Sequence, residues 1–376
     1  MKPVSRISVG ACLGNACAYA VPNTSPLVLG ALMTSFSLNE AQAGALVTVE
    51  LLAMGVAALL VAPWLRGSRK RLTALLATLL VAASEAAAAL CSSGDWMFVG
   101  MVGVGLGAGL LLAALNAIIA STQAPDKLFG YALMTAYGVA ALLVFALTPA
   151  IARAGSAGAF AVLAVFTAIT LPYLHILPRE VDEIAAVTIA SQFCWRCGSV
   201  LMFGIAVIGL AMMGFYAYIE RLGVRMGLSL DTIGTVFALQ QAASVAGSAL
   251  AARYGVRIGL VRALVIGTSL HTVAVLVAVF GNTVTWFSLG VISEGFTFLF
   301  LLPVIFTVAA ELDSDGRWAA AANGALFMST GAAPLVLGAL IGEFDFPVIG
   351  WMMLAATPVG LWAFVSSSRP AEMTYL

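Results

Sequence analysis

Long apolar runs separated by short polar breaks follow one another along the whole chain. A membrane-spanning helix needs about 20 consecutive apolar residues, and only helices or closed barrels satisfy backbone hydrogen bonds inside a bilayer. Runs of this length therefore predict helices, six before a longer polar break and six after it. The predicted spans are approximately 9–35, 41–65, 72–92, 96–121, 128–151, 156–178, 198–220, 229–252, 258–280, 284–310, 318–341 and 346–367.

The composition agrees with this pattern. Hydrophobic residues make up 62 % of the 376 residues and charged residues 9 %, whereas soluble domains average roughly 45–50 % and 25 %. The mean hydropathy is +1.06. The sequence therefore predicts an all-α membrane protein with 12 transmembrane helices, whose surface contacts the lipid bilayer. Because the net charge is zero and charges fall mostly in short breaks, no nucleic-acid partner is expected.

The basic residues predict the orientation. Four of them lie within the segment RGSRKR from Arg66 to Arg71, between two apolar runs. With a cytoplasmic N-terminus, all 17 Lys and Arg residues except Arg153, Arg221 and Arg225 fall on the cytoplasmic side. This distribution follows the positive-inside rule. We expect a multi-pass protein of the inner (plasma) membrane with both termini in the cytoplasm.

The N-terminus has two interpretations. Lys2 and Arg6 precede an apolar stretch that ends in Ala18-Tyr19-Ala20, which is similar to a cleaved signal peptide. Asn15 interrupts that stretch, however, and apolar sequence resumes at Pro26. A retained first helix is therefore the preferred interpretation.

The two halves of the chain resemble each other. At one constant offset, Trp96, Gly100 and Gly105 map onto Trp286, Gly290 and Gly295. This repeat indicates that the chain arose by duplication of a six-helix unit. The alternative is chance similarity between helices rich in Gly and Ala. Parallel six-helix repeats place a solute site at the midplane between the halves. The predicted domains are a six-helix bundle at 1–178, a cytoplasmic linker at 179–196 and a pseudo-symmetric six-helix bundle at 197–376.

Two basic segments carry a family resemblance. The pattern G-x-L-A-D-R-x-G-R-R is followed loosely from Leu65 to Arg69 and more closely from Leu250 to Arg257. On these residues the chain resembles a major facilitator superfamily transporter over its whole length. The resemblance implies a gating or loop-motif role for Arg66, Gly67, Arg69, Arg71, Arg253, Gly255 and Arg257.

Three departures from the family patterns bear on mechanism. The aspartate of the loop pattern is replaced by Trp64 and Ala252, and the arginine common in helix 4 of proton antiporters is Met101. The Gly-Pro pair expected in helix 5 is Ala141-Leu142. The usual gating account and the antiporter signature are both weakened.

Two carboxyl groups are the main candidates for ion coupling. Glu50 and Glu294 lie within predicted helices 2 and 10, which by the resemblance face the central cavity. Ionisable side chains inside a membrane are costly and often functional. A carboxyl in a partly apolar cavity can exchange a proton for a cationic group. The alternative for each is a neutral acid that hydrogen-bonds within the bundle.

Glu85 and His271 lie at corresponding depths in predicted helices 3 and 9, which are peripheral in this family. Histidine can titrate near physiological pH. A peripheral position nevertheless favours a local hydrogen-bonding role for both residues.

Neutral polar residues within the predicted helices form a candidate substrate-binding set. Small-ligand sites are usually built from a few polar groups on apolar, aromatic walls, although each group alone is more often an interhelical hydrogen bond. The set comprises Asn15, Asn23, Asn116, Tyr137, Tyr216, Gln240, Gln241 and Asn323.

A charge cluster ends predicted helix 7 on the outer side. Glu220 and Arg221 form a candidate outer gate, together with nearby Arg225 and Asp231. A solvated interfacial cluster is the commoner explanation of such a pattern.

The sequence offers little for enzymatic chemistry. Cys194 and Cys197 form CWRC in the predicted linker, a spacing found in redox and metal sites. Since this segment is predicted to face the reducing cytoplasm, free thiols are expected. No nucleophile set, P-loop or metal-ligand cluster occurs, so neither an enzyme nor a cofactor is expected.

These observations predict a secondary transporter that works by alternating access. Because no Lys or Arg lies deep in a predicted span, a strongly anionic solute would lack a counter-charge. We expect a monomer that exports a neutral or cationic, fairly apolar small molecule against protons. The alternatives are uptake of a nutrient or metabolite by proton symport or uniport, and a receptor or scaffold that transports nothing.

Overall fold

The computed structural model describes residues 3–61, 64–65, 69–120, 122, 125–177, 195–312 and 317–372. All regular secondary structure in these residues is helical. The helices are α1 Pro3–Ala18, α2 Ala20–Phe36, α3 Glu40–Val61, α4 Arg69–Ala89, α5 Gly94–Ala120, α6 Pro125–Leu174, α7 Trp195–Ala217, α8 Ile219–Arg225, α9 Leu230–Ile258, α10 Leu260–Phe280, α11 Val284–Glu311, α12 Arg317–Phe344 and α13 Pro347–Glu372.

Ten of these described helices are long and apolar enough to cross a membrane. One of them, α6, contains a chain reversal and supplies two crossings, and α1 with α2 supplies another. The predicted all-α membrane fold with twelve spans is confirmed. The helix boundaries lie within a few residues of those predicted, except at the two loop-motif segments described below.

The first predicted span, 9–35, is interrupted at Tyr19, where φ is −95° and ψ is 2°. Helical hydrogen bonds still run from Tyr19 N to Asn15 O at 3.0 Å and from Asn23 N to Tyr19 O at 2.8 Å. Pro22 has no N–H group to donate to the carbonyl of Ala18, so one bond of the ladder is missing here. The chain therefore crosses once, through two helical segments joined at this break.

The polar break predicted between 151 and 156 appears inside α6. Ala154 and Gly155 have non-helical dihedral angles, and Gly155 has φ 57°. A Cβ atom placed on Gly158 would overlap the carbonyl of Ala150. These two residues would be about 12 Å apart along a continuous helix, so the chain folds back here. The backbone N–H of Ser156 donates to Ser35 Oγ at 2.9 Å, which ties the turn to α2.

The two segments of the loop motif are largely helical. Arg69 and Arg71 lie in the first turn of α4, and Arg253, Gly255 and Arg257 lie in the last turns of α9. The predicted span 229–252 agrees with the apolar part of α9, Leu230–Ala251, and the helix continues beyond it to Ile258. The chain then passes into α10 through Gly259 alone, which has φ 92°. Arg66 and Gly67 lie outside the described residues.

The chain divides into two compact units, Met1–Ala185 and Ala186–Leu376. In the first unit, α5 packs against α3 and α4; in the second, α11 packs against α9 and α10. Of the predicted linker 179–196, only Trp195 and Arg196 are among the described residues, and both belong to α7.

Each unit contains the same close glycine contact. A Cβ atom placed on Gly105 of α5 would overlap the backbone carbonyl of Glu50, and one on Gly295 of α11 would lie 2.6 Å from the carbonyl of Gln240. The partners in these two contacts are related by the offset found in the sequence. A second matched contact joins Gly100 to Ala88 and Gly290 to Ala278, at the same offset. Backbones approach this closely only where small residues leave room.

Candidate functional site

Glu294 lies fully buried on α11, with 0 % of its side chain exposed. Gln240 of α9 is also buried, and its Nε2 donates to Glu294 Oε2 at 2.9 Å. The close contact at Gly295 brings α9 near enough for this bond. Glu294 Oε1 and Gln240 Oε1 have no hydrogen-bond partner. The pair therefore has two buried acceptor atoms without a partner.

His271 on α10 hydrogen-bonds within the second unit, consistent with the local role expected for it. Its Nδ1 lies 3.0 Å from Thr297 Oγ1. The Thr297 hydroxyl donates to the backbone carbonyls of Ser293 and Glu294 at 2.9 and 3.0 Å. Since its one proton is used there, Nδ1–H of His271 must be the donor in the other bond. Thr297 follows Glu294 by three residues, so both lie on the same face of α11. That spacing is the sequence signal that could have identified Thr297 as a neighbour of Glu294.

Gln241 and Tyr216 form a second polar pair in the same unit. Gln241 Nε2 donates to the Tyr216 hydroxyl at 3.1 Å, between α9 and α7. The Tyr216 ring packs against Phe237, with ring centroids 5.7 Å apart. Of the predicted substrate-binding residues, the structure thus links Gln240 to Glu294 and Gln241 to Tyr216.

A narrow apolar pocket lies within the second unit, among α7, α11, α12 and α13. Its lining consists of aliphatic and aromatic residues and Gly209, and includes Phe298 and Leu302 of α11. The free space inside is about 20 Å³, which is room for about one water molecule, so the pocket is nearly closed in this conformation. Phe298 follows Glu294 by one helical turn, so both side chains project from one face of α11. A carboxyl and an apolar wall are therefore neighbours on this helix.

The first unit buries two carboxyl groups, on different helices. Glu50 lies near the middle of α3 and Glu85 in the C-terminal half of α4, and both are 0 % exposed. No hydrogen bond reaches any of their four carboxyl oxygens. The carboxyl of Glu85 lies near the Thr167 hydroxyl, which is not a hydrogen-bond partner of either carboxyl oxygen. Sequence reasoning missed Thr167.

The other predicted substrate-binding residues are spread over several helices. Asn15 in α1 and Asn23 in α2 are buried, and Asn116 in α5 and Tyr137 in α6 are partly buried. The side chain of Asn323 lies outside the described residues.

The outer charge cluster contains ion pairs of two kinds, one buried and one exposed. Arg221 binds its neighbour Glu220 through Nε to Oε2 at 2.6 Å and Nη2 to Oε1 at 3.1 Å. Burial raises the pKa of the Glu220 carboxyl, while the Arg221 guanidinium opposes that rise. Arg225 pairs with Asp345 and also stacks over the Phe346 ring, 5.2 Å from its centroid. The assignment of Glu220 and Arg221 to an outer gate remains a prediction.

We expect the substitution Arg225→Ala to lower the free energy of unfolding by less than about 1 kcal/mol. Both side chains of the pair with Asp345 are about half exposed, at 49 % and 48 %, so water screens their attraction. Thermal unfolding of Arg225→Ala, Asp345→Ala and the double variant would measure the pair's own contribution. A coupling well above this value would show that the bridge is a structural clamp.

Cysteine chemistry differs from the expectation at one position. Cys12, Cys17 and Cys91 are free, whereas Cys197 is disulfide-bonded. The free thiol predicted for Cys197 is therefore wrong, and Cys194 lies outside the described residues. Among the residues that the structure describes, no three His, Cys, Asp or Glu side chains are grouped as a metal site would require.

Comparison with known proteins gives a family match and a set of similar folds. The model of the Major Facilitator Superfamily matches residues 11–230. No curated protein matches the chain significantly. The similar solved structures have low sequence identity to this chain, so they show the fold alone.

Three of these structures cover nearly all of the chain. The human organic anion transporter MFSD10 (TETRAN) is 16 % identical, with a TM-score of 0.67 over 96 % of this chain and 98 % of that one. A bacterial homolog of the human lysosomal transporter Spinster, inward-facing and unoccupied, is 14 % identical, with a TM-score of 0.71 over 99 % and 96 %. The nucleoside transporter NupG is 13 % identical, with a TM-score of 0.70 over 96 % and 99 %.

Proposed function

Since this chain belongs to the Major Facilitator Superfamily, whose members are secondary transporters, we propose that it exports a neutral or cationic, fairly apolar small organic molecule in exchange for protons. Glu294 and Glu50 are the proposed coupling carboxyls. We place the protein in the inner membrane as a monomer with both termini in the cytoplasm, following its basic residues.

The observation that carries this proposal is the position of Glu294 beside an apolar wall. Its carboxyl and the amide of Gln240 each offer a buried oxygen without a partner. One helical turn away, Phe298 lines the narrow apolar pocket. A few polar groups on apolar walls are typical of small-molecule sites. Such a site suits a solute with an apolar body and a cationic or hydrogen-donating head, and the nearly closed pocket would have to widen to admit it.

The charges within the helices support a neutral or cationic solute. Among the described residues, no Lys or Arg lies in the middle of a membrane crossing, since Arg153 is at the reversal that divides α6 into two crossings. An anionic solute would therefore meet buried carboxyls without a counter-charge, which is unfavourable inside a membrane. One of the similar structures is an organic anion transporter. At this low sequence identity, however, the similarity concerns only the fold and not the solute.

The coupling follows from competition for the same carboxyl. When Glu294 is protonated, it cannot attract a cationic head electrostatically; when it is ionised, it can. Proton entry on one side would therefore release the solute, and proton loss on the other would restore binding. Exchange of this kind moves solute and protons in opposite directions.

Flux in sealed vesicles tests the proposed function. Candidate solutes are first selected by thermal shift of the purified protein, since a ligand that binds the native state stabilises it. We expect inverted vesicles that are acidic inside to accumulate the selected solute, and a protonophore to abolish this accumulation. Accumulation driven by the opposite gradient would indicate proton symport, and binding without flux in either direction would indicate a receptor.

A further inference from the structure

Two carboxyls buried in the first unit have neither a counter-charge nor a hydrogen bond among the residues that the structure describes. Glu50 and Glu85 are both fully buried, and none of their four oxygens accepts a hydrogen bond. The ion pairs of Arg221 and Arg225 both lie in the second unit. A buried ionised carboxylate without compensation is strongly unfavourable, and such a group usually takes up a proton instead.

The α5 helix brings these carboxyls to a similar depth. It packs against α3 through Gly105, which contacts the backbone of Glu50. It packs against α4 through Gly103, where a Cβ atom would overlap Ser84, the residue before Glu85. Gly103 and Gly105 are about 3 Å apart along the helix axis. The carboxyls of Glu50 and Glu85 are close enough to interact electrostatically.

The neighbouring helices α1, α2 and α6 place no described charge beside either group. α1 brings the free thiol of Cys17, which lies 3.6 Å from Thr167 Oγ1 of α6 and within electrostatic range of Glu85. The side chain of Arg6, in the first turn of α1, lies outside the described residues. Arg153 is exposed at the reversal inside α6, and His175 is exposed just after its last residue. The side chains of Asp126 and Lys127, in the first turn of α6, lie outside the described residues. α2 carries no ionisable residue.

The three helices that carry or contact the pair place their other ionisable groups at their first turns. Glu40 begins α3, and the basic residues of α4 are confined to Arg69–Arg71, at least about 20 Å along the axis from Glu85. On α5 the only acidic or basic residue is Asp95, in the first turn, whose side chain lies outside the described residues. Among the described side chains, Glu50 and Glu85 are therefore the two carboxyls buried at this depth of the first unit.

The second unit has no carboxyl at the matching positions, because at the offset found in the sequence Glu50 corresponds to Gln240 and Glu85 to Val275. The glycine contact that involves Glu50 in the first unit involves Gln240 in the second. There the neutral amide donates to Glu294, and His271 bonds to Thr297. Glu294 and His271 therefore have hydrogen-bond partners, whereas Glu50 and Glu85 do not.

An open groove lies at the end of the unit where α4 and α5 are connected. It is lined by Ser84, Ala88, Cys91 and Gly100, among others. Ser84 thus borders both the groove and the contact with Gly103. Glu85 itself, which is fully buried, does not line this groove.

We propose that Glu50 and Glu85 form a two-carboxyl proton-binding site of the first unit, in which both groups are neutral in this conformation and the ionisation of one opposes the ionisation of the other. Glu85 is thereby assigned a proton-binding role that its peripheral helix did not suggest. The contribution of this site to transport rests on the proposed function. Proton binding by the two carboxyls does not depend on that function.

Infrared difference spectroscopy of the purified full-length protein tests the site directly, because protonated and ionised carboxyls absorb at different frequencies. We expect Glu50→Gln and Glu85→Gln each to remove one protonated-carboxyl component at neutral pH, and the double variant to remove both. Glu343→Gln is the matched control, since Glu343 is exposed, and should leave these components unchanged. Ionised carboxylates at both positions at neutral pH would overturn the proposal.

A pH titration of the same samples tests the interaction between the two groups. The wild type should release two protons in separate steps, and each single variant one proton, at a lower pH than the second wild-type step. Unchanged titration of Glu50 in Glu85→Gln would refute the interaction.

If a Gln variant does not fold, the corresponding Asp variant keeps the acid, and it should shift the infrared component of that carboxyl without removing it. If the spectra show the two protonated carboxyls but no proton-driven flux is measured, the proposed function is rejected and the proton-binding site is retained.

Discussion

Replacing Gly105 with leucine is expected to destabilise the protein by about 3 kcal/mol or more, since filling a close-packed contact forces the backbone apart. Even the first side-chain atom would overlap the carbonyl of Glu50, and the Cβ of Ala53 is only 3.0 Å away. These neighbours are backbone or Cβ atoms and cannot rotate aside. The variant should therefore separate α5 from α3 and yield little folded protein, as judged by size-exclusion profile and thermal unfolding.

The chain offers a matched control for this substitution. Gly138 of α6 has open space where a side chain would begin, with no atom of another helix within 4 Å. Gly138→Ala should leave stability unchanged or increase it by about 0.5–1 kcal/mol, because alanine is the better helix former. Gly295→Leu, at the matching contact of the second unit, should behave like Gly105→Leu. Normal yield and stability of Gly105→Leu would mean that α3 and α5 are further apart than the structure shows.

Replacing Glu294 with glutamine is expected to reduce proton-driven transport by about tenfold or more, equivalent to about 1.4 kcal/mol or more. Glutamine has nearly the same shape and can still accept the hydrogen bond from Gln240. It cannot ionise, however, so it neither attracts a cationic head nor exchanges a proton. Solute flux under an imposed pH gradient, in proteoliposomes with equal amounts of each variant, measures this loss.

Two further variants separate the charge of Glu294 from its surroundings. Glu343→Gln removes an exposed carboxyl from the same unit and should transport normally. Gln240→Leu removes the donor to Glu294 Oε2 while keeping the acid, and should reduce transport less than Glu294→Gln. Full proton-driven flux in Glu294→Gln would exclude this carboxyl from coupling and leave Glu50 as the remaining candidate.

The spans were predictable because the apolar length needed to cross a bilayer is visible directly in the sequence. The helix ends at the loop motif were not. Arg253 and Arg257 are polar enough to suggest a break, yet the helix continues through them and through Gly255. It ends at Ile258, just before Gly259. The interruption at Tyr19 has a sequence cause in Pro22, but its position depends on packing that the apolar pattern does not contain.

The candidate site was predictable in part. The rarity of carboxyls within apolar runs marked Glu50 and Glu294 without any structure. Which residues contact them could not be derived, because a partner such as Gln240 is distant in sequence and is selected by how α9 packs on α11. Glu85 was assigned a local role from its peripheral helix, although no hydrogen bond reaches either of its carboxyl oxygens.

The helical path through Arg253 and Arg257 has a mechanical consequence. These exposed side chains are attached to α9 itself, one turn apart on one face, and not to a flexible connection. If α9 turns about its axis, both charges must sweep through the same angle relative to the lipid headgroups. Only Gly259 connects α9 to α10. A rotation of α9 relative to α10 would therefore have to be taken up by the backbone dihedral angles of this one residue. The attraction between the basic motif and the headgroups would then oppose or favour rotation of the whole helix.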